Sequence, residues 1–172
     1  SKDLRTLIEE MCILDLLTAE KRIERLKKEN SKTKEADIIK KCYEHLQNSR
    51  PVFQLELSDD EISALSGFKF LTQNKILVIL NCGDNNNTDE IIATERFATD
   101  AGIDILKLNA KIEFEISQFD NESDKLEFLK EYGLDEPVAD RFARHVYDMM
   151  GLISFFTVGQ DEVKAWTIRK GL

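Results

Sequence analysis

No run of apolar residues in this 172-residue chain approaches the length of about eighteen that a membrane-spanning helix needs. The opening stretch is dense in acids and bases, unlike a secretory leader. Both absences lead to the expectation of a cytoplasmic protein with no membrane partner. Cysteine is scarce: Cys12, Cys42 and Cys82 are far apart and outside any C-x-x-C pair, which supports neither a disulfide framework nor a zinc site. They read as small core or loop residues. The two histidines, His45 and His145, are distant from each other, with no acid or cysteine at ligand spacing, so no metal is expected.

Phosphate-gripping glycines are missing as well. The residues that follow the glycines are Phe68, Asp84, Ile103, Leu134, Leu152, Gln160 and Leu172, none of them lysine. A G-x-x-x-x-G-K-[ST] loop is therefore absent, and so is a G-x-G-x-x-G turn. Such loops converge backbone amides on an anion and supply a lysine to neutralise it, and no other stretch here has that composition. No catalytic residue is nominated.

Enough remains to build one ordinary domain or two small ones sharing an interface, with 42% hydrophobic and 33% charged residues. The net charge of −9 is unevenly spread. Residues 1–50 carry twelve Lys and Arg against ten acids, net +2, whereas 51–172 carry twelve against twenty-three, net −11. The acidic part argues against general nucleic-acid binding there, while a basic projection retains that capacity.

The predicted fold class is α/β and helix-rich. Leu4, Leu7, Ile8, Met11, Leu14, Leu17, Ile23 and Leu26 recur at helical spacing without Gly or Pro, giving a helix of about seven turns. After Asn30, Ser31 or Thr33 can cap a second helix striped by Ile38, Ile39, Cys42 and Leu46, ending before Pro51. Two helices so joined form an antiparallel hairpin. Its far end is basic, with nine bases and five acids over residues 20–41, and reads either as a solvated coiled-coil face or as a docking surface.

Beyond Pro51, "LSDDEI" is a capping box built on Ser58 and Glu61, starting a helix that Gly67 ends. Ile76–Leu80 is an unbroken apolar run, expected as a parallel strand covered on both faces. A helix over 88–101 stopped by Gly102, and a strand over 103–108, complete a crossover unit. Helices over 121–132 and 137–150 end at Gly133 and Gly151, with Asp135 expected to cap the second. "LISFFTVGQDEVKAWTI" reads as a β-hairpin turning at 159–162, with Trp166 in need of a packing surface.

The polar loop after the first strand opens on Asn81, with Asp84 three positions on. That spacing is how many nucleotide-binding folds read a purine, and equally it is a polar turn closing a strand. Asn109 follows the next strand, and ligands of open α/β sheets lie at such carboxyl ends.

The stretches "DLLTAEKRIERLKKE", "LNCGD", "NAKIEFEIS" and "GLISFFTVGQDEVKAWTIRKG" occur in the order and at about the spacing found in the Obg-like ATPases, the YchF branch of the translation-factor GTPases. The resemblance covers nearly the whole chain. It implies a P-loop G domain with an inserted helical coiled coil, followed by a small β-rich TGS domain. This chain resembles the middle of such a protein: residues 1–50 the coiled-coil hairpin, 51–152 the C-terminal, base-recognising part of the G domain, and 153–172 the first hairpin of the TGS domain. The P-loop, switch regions and magnesium ligands are then expected before residue 1, and most of the TGS domain after Leu172.

Residue by residue, the resemblance implies base recognition by Asn81, Cys82, Gly83 and Asp84, where the family has Asn-x-x-Glu. A second element similar to Ser-Ala-Lys is Asn109, Ala110 and Lys111. Asp in place of Glu leaves ATP against GTP open. The full-length parent is expected to use that nucleotide with Mg²⁺, whereas this chain is expected to hold none tightly and to be inactive alone. The basic tip, Arg25, Lys27, Lys28, Lys32 and Lys34, is the candidate contact with ribosome or RNA, and a non-enzymatic ribosome- or RNA-binding coiled-coil module is the alternative function. Open strand edges lead to the expectation of self-association.

Overall fold

The computed structural model describes residues 2–29, 33–83 and 88–171. The chain is helix-rich α/β and divides into two compact units: residues 1–76 with 89–103, and residues 77–88 with 104–172.

The first unit is helical. Helix α1 (Lys2–Lys28) buries Ile8, Cys12, Asp15, Ala19 and Leu26. Their spacing alternates four and three, a 3.5-residue seam rather than a broad amphipathic face. Position 22, where the alternation asks for another buried residue, holds Arg22. Its guanidinium meets Glu35 of α2 (Lys34–Leu46) through Nε at 2.8 Å and Nη2 at 2.6 Å. Helix α2 packs on α1 with Ile38, Ile39, Cys42 and Leu46 buried, the stripe expected from sequence. Thr33 occupies the N-cap position of α2 but makes no side-chain cap bond. The Ser31 alternative lies outside the described residues.

Asp15 has a role that its surroundings in the sequence do not reveal. The side chain is 2% exposed and accepts from Leu71 N at 2.8 Å, Thr72 N at 2.7 Å and Thr72 Oγ1 at 2.6 Å. A short 3₁₀ turn, Leu71–Gln73, begins there, so the carboxylate satisfies the donors that such a turn leaves unpaired. Thr72 Oγ1 in turn accepts from Val52 N at 3.0 Å, linking three segments through one buried hydroxyl.

Helix α3 (Asp59–Leu65) starts on the expected capping box: Ser58 Oγ accepts from Glu61 N, and Ser58 N donates to Glu61 Oε2 at 2.8 Å. Its end differs from expectation. The helix closes at Ser66, Gly67 keeps a negative φ, and the left-handed residue is Lys69 at φ 52°. Helix α4 (Asp89–Ala101) completes this unit, with Gly102 at φ +67° and Arg5 of α1 lying 4.8 Å over the Phe97 ring.

The second unit holds two small sheets. Strands β1 (Leu77–Asn81) and β2 (Asp104–Leu108) are parallel, in register from Leu77 opposite Asp104 to Asn81 opposite Leu108. Parallel neighbours need a crossover, and the chain between them runs through α4. The expectation that β1 is covered on both faces fails: Ile79 is 49% exposed. Among the described residues this sheet has two strands, too few to enclose either of them.

Helices α5 (Ala110–Ser117), α6 (Glu122–Glu131) and α7 (Val138–Met150) follow. Asn121 and Asn109 cap α6 and α5 through their side chains. Asp135 does not cap α7. Pro137 is the N-cap residue, and the Glu113 carboxylate of α5 accepts from Val138 N at 2.9 Å instead. Helix α7 packs on β2 and β3. Strands β3 (Leu152–Val158) and β4 (Val163–Arg169) pair antiparallel about residues 159–162, as expected. Trp166 is 50% exposed, its Nε1 donating to Thr157 Oγ1 at 2.9 Å.

Candidate functional site

Parallel pairing puts the carboxyl ends of β1 and β2 side by side, so the residues that close them must meet. Asn81 is the last residue of β1, opposite Leu108, and Asn109 is the next residue after β2. The ladder continues one step further, with Cys82 N donating to Leu108 O at 2.7 Å. Across it Asn81 Oδ1 accepts from Ala110 N at 3.1 Å. Asn109 Oδ1 accepts from Lys111 N at 3.1 Å and Ile112 N at 3.3 Å.

The first three amides of α5 are thus taken by two asparagine side chains. With Oδ1 held by the Ala110 amide, the other hydrogen-bonding edge of the Asn81 amide is its NH₂, a donor. A donor fixed at the carboxyl edge of an open α/β sheet suits an acceptor on a heterocyclic base. Asn81, Ala110 and Lys111 are exposed, and Asn109 is half-buried.

Cys82 is 3% exposed, its Sγ 3.6 Å from Leu80 O, so its side chain is buried rather than presented to a ligand. Gly83 is exposed, and a Cβ there would meet nothing within 4 Å. Asp84 lies outside the described residues. Of the seven residues expected at the base site, the structure brings Asn81, Asn109, Ala110 and Lys111 together.

A cavity of about 260 Å³ adjoins this site on the α5 side, lined by Lys107, Asn109, Glu113, Tyr132 and Arg141 among others. Two of its charged groups are committed to structure. Glu113 caps α7, and Arg141 Nη2 donates to Lys107 O, tying α7 to β2. Sequence gave no sign of Glu113, because a glutamate in a helix reads as a solvated side chain.

The basic tip is partly described. Arg25, Lys27 and Lys28 occupy the last turn of α1, where a helix C-terminus favours cations on its own account. Lys34 is the first residue of α2, where the dipole disfavours a cation, so helix stability does not explain it. All four are exposed. Lys32 lies outside the described residues.

Both histidines have ordinary surroundings. Pro51 O accepts from His45 Nε2 at 3.1 Å, and burial holds His45 below the usual imidazole range. His145 Nε2 lies 3.8 Å from Asp104 Oδ2. Among the described residues no cluster of His, Cys, Asp or Glu is arranged to hold a metal, and no helix is long and apolar enough to cross a membrane.

The helix-rich α/β fold has a counterpart among solved structures. The Schizosaccharomyces pombe YchF GTPase superposes with a TM-score of 0.86 at 23% identity, over 99% of this chain and 49% of that one. The "Ribosome-binding ATPase YchF" of Pasteurella multocida is 31% identical over 178 residues, and that of Bacillus subtilis 29% over 180 residues. Each match covers 99% of this chain and 49% of the relative. The Escherichia coli O157:H7 protein of the same name is 30% identical over 98% of the chain. No family model matches. The chain belongs to the YchF, or Obg-like, family, and it spans about half the length of the curated relatives it matches.

Proposed function

We propose that this chain carries the base-recognition part and the helical arm of a ribosome-associated nucleotide hydrolase. The observation that supports this most is the hydrogen bond from Ala110 N to Asn81 Oδ1, which couples the two strand ends into one donor-presenting edge. In this reading α1 and α2 form a coiled-coil arm, with residues 1–50 as its extent. Residues 51–152 are G-domain sequence, and the β3–β4 hairpin from 153 on begins a TGS domain. The 3.5-residue seam on α1 supports the first of these.

The whole protein would use ATP or GTP with Mg²⁺, in the cytoplasm. The names of the relatives differ on the nucleotide: the bacterial proteins are called ATPases and the yeast protein a GTPase. Phosphoryl transfer to water depends on a phosphate cradle, a lysine and Mg²⁺, and these residues hold no such cradle. The chain alone is expected to bind nucleotide no tighter than about millimolar, because base contacts must offset the cost of ordering the ligand. A stand-alone RNA-binding module is not favoured, since the bacterial relatives named for ribosome binding are also named for ATP hydrolysis.

Ribosome contact is assigned to Arg25, Lys27, Lys28, Lys32 and Lys34. Contacts with phosphates alone make it strongly salt-dependent. Self-association through uncovered strands is a further part of the reading, supported by Phe156 at 67% and Val158 at 77% exposure.

Calorimetric titration of ATP and GTP into the chain and into Asn81→Ala tests the base site. Weak binding abolished by the substitution is expected; binding unaffected by it rejects the assignment. Pelleting with ribosomes at low and high salt tests the tip, and Lys27→Glu/Lys28→Glu/Lys32→Glu pelleting like the parent chain excludes it. Sedimentation showing monomer alone at high concentration counts against self-association.

A further inference from the structure

The larger described cavity does not involve the asparagine pair. It is an open groove of about 700 Å³ in the first unit, between the second half of α1, the start of α2 and the turn after α3. Cavities of this size, roughly 300–1,000 Å³, accommodate ligands the size of a nucleotide.

Three cations line it from one stretch of α1: Lys21, Arg22 and Arg25. One anion, Glu35, stands against them and is paired with Arg22. Lys21 and Arg25, one turn apart on the same helical face, are exposed. In a chain of net charge −9 a local excess of cations calls for an explanation. At physiological salt the field of distant acids fades over about 8 Å, so the groove presents its own positive potential.

The opposite wall is aromatic. Phe68 is half-buried, stacked on Phe70 with centroids 5.9 Å apart, and the Arg22 guanidinium lies 5.9 Å over its ring. The turn that presents Phe68 is strained. Its left-handed residue is Lys69, although Gly67, which tolerates that conformation at little cost, is two positions away. A left-handed non-glycine residue is disfavoured by its Cβ, and such strain gathers at binding sites.

We propose that this groove binds a nucleotide unit, its phosphates on Lys21 and Arg25 and its base on the platform of Phe68 and Arg22. That unit is either a free nucleotide or one member of an RNA strand. Aromatic and guanidinium faces accept bases without regard to sequence, and lysine and arginine supply the phosphate contacts. The site shares no residue with the Asn81 pair; it has Arg25 in common with the basic tip but adds Lys21, Arg22 and Phe68, which the ribosome contact does not use.

Fluorescence anisotropy on the full chain distinguishes the sources with three probes: a fluorescent ATP analogue, a labelled eight-nucleotide oligo-adenylate, and labelled polyglutamate. The oligonucleotide or the ATP analogue is expected to bind, and Lys21→Gln/Arg25→Gln to weaken binding at least tenfold at 50 mM salt (about 1.4 kcal/mol per tenfold). The double variant also lowers the salt dependence of oligonucleotide binding, by a log–log slope of about 1.4 for two phosphates on a single strand. Phe68→Leu is expected to weaken binding about fivefold or more through lost stacking. Should it unfold the turn, seen as a lowered melting temperature, the exposed double variant carries the test alone.

Preference for the ATP analogue identifies a small-molecule site, and preference for the oligonucleotide an RNA site. Polyglutamate binding as tightly as either, no binding of either nucleotide probe at millimolar concentration, or indifference to the double variant each overturns the proposal. Binding abolished by Asn81→Ala transfers it to the strand-end loop, which rejects the groove and leaves the base-site reading standing.

Discussion

Replacing Asp15 by asparagine keeps the size of a buried side chain and removes its charge at a point where three donors converge. The carboxylate accepts at 2.8, 2.7 and 2.6 Å and is 2% exposed, so water does not reach the donors in its place. Asparagine has one acceptor oxygen. Turned toward Thr72 it keeps that residue's N–H and Oγ1–H, both weakened from charged to neutral partners, and its NH₂ then faces Leu71 N–H, donor against donor. Two weakened bonds at about 1 kcal/mol each and one orphaned buried donor at about 1–3 give a loss of about 3–5 kcal/mol. Alanine abandons all three donors and opens a void, for about 5 kcal/mol or more. A domain with about 5–15 kcal/mol in total tolerates the first marginally.

The assay is urea unfolding followed by far-ultraviolet circular dichroism, which reports chiefly on the helices. Thr72→Val is the partner variant: it loses one bond to Asp15 and the Val52 amide bond, and the double variant is expected to lose less than the two singles together. A loss below about 0.5 kcal/mol for Asp15→Asn would refute the reasoning, because the three bonds would then have no energetic consequence.

Other expectations are independent of that one. Cys12 and Cys42 are pushed up to about 11, chiefly by burial, and are 1% and 0% exposed; a thiol reagent at pH 8 should label them only as fast as the chain opens, and rapid labelling would contradict the packing. Burial lowers the His45 pKa, so its neutral form is favoured on folding. Its contribution to stability is present above the unfolded value near 6.5 and lost as pH falls through the folded value, a loss that His45→Gln should flatten in unfolding curves measured across that window. Glu113→Ala removes the acceptor at the start of α7 and should cost about 1 kcal/mol, with Glu113→Gln costing less; equal effects would mean that the cap is not what matters.

Local signals in the sequence were legible because local physics decides them. Ser58 and Glu61 cap each other within three residues, and Gly102, Gly133 and Gly151 take positive φ where helices end. Asn81 and Asn109 were visible as residues closing two successive strands, and parallel pairing does the rest. Partners far along the chain were not legible. Asp15 serves an amide 57 residues away and Glu113 one 25 residues away, and each in its own helix resembles a surface acid. Helix α5 lies outside the expected elements because its cap, Asn109, doubles as part of the base-reading element. The groove is not legible in sequence because Phe68 and the α1 cations face each other only after α3 has folded against the helical pair.

Nitrogen-15 spectra of the labelled chain during ATP and GTP titrations give the most direct view of the strand-end pair. The Asn81 side-chain NH₂ and the Ala110 and Lys111 amides are expected to shift together at millimolar nucleotide, with no such shift at residues 109–111 in Asn81→Ala. Saturating nucleotide that leaves residues 81–83 and 109–111 unmoved would contradict it.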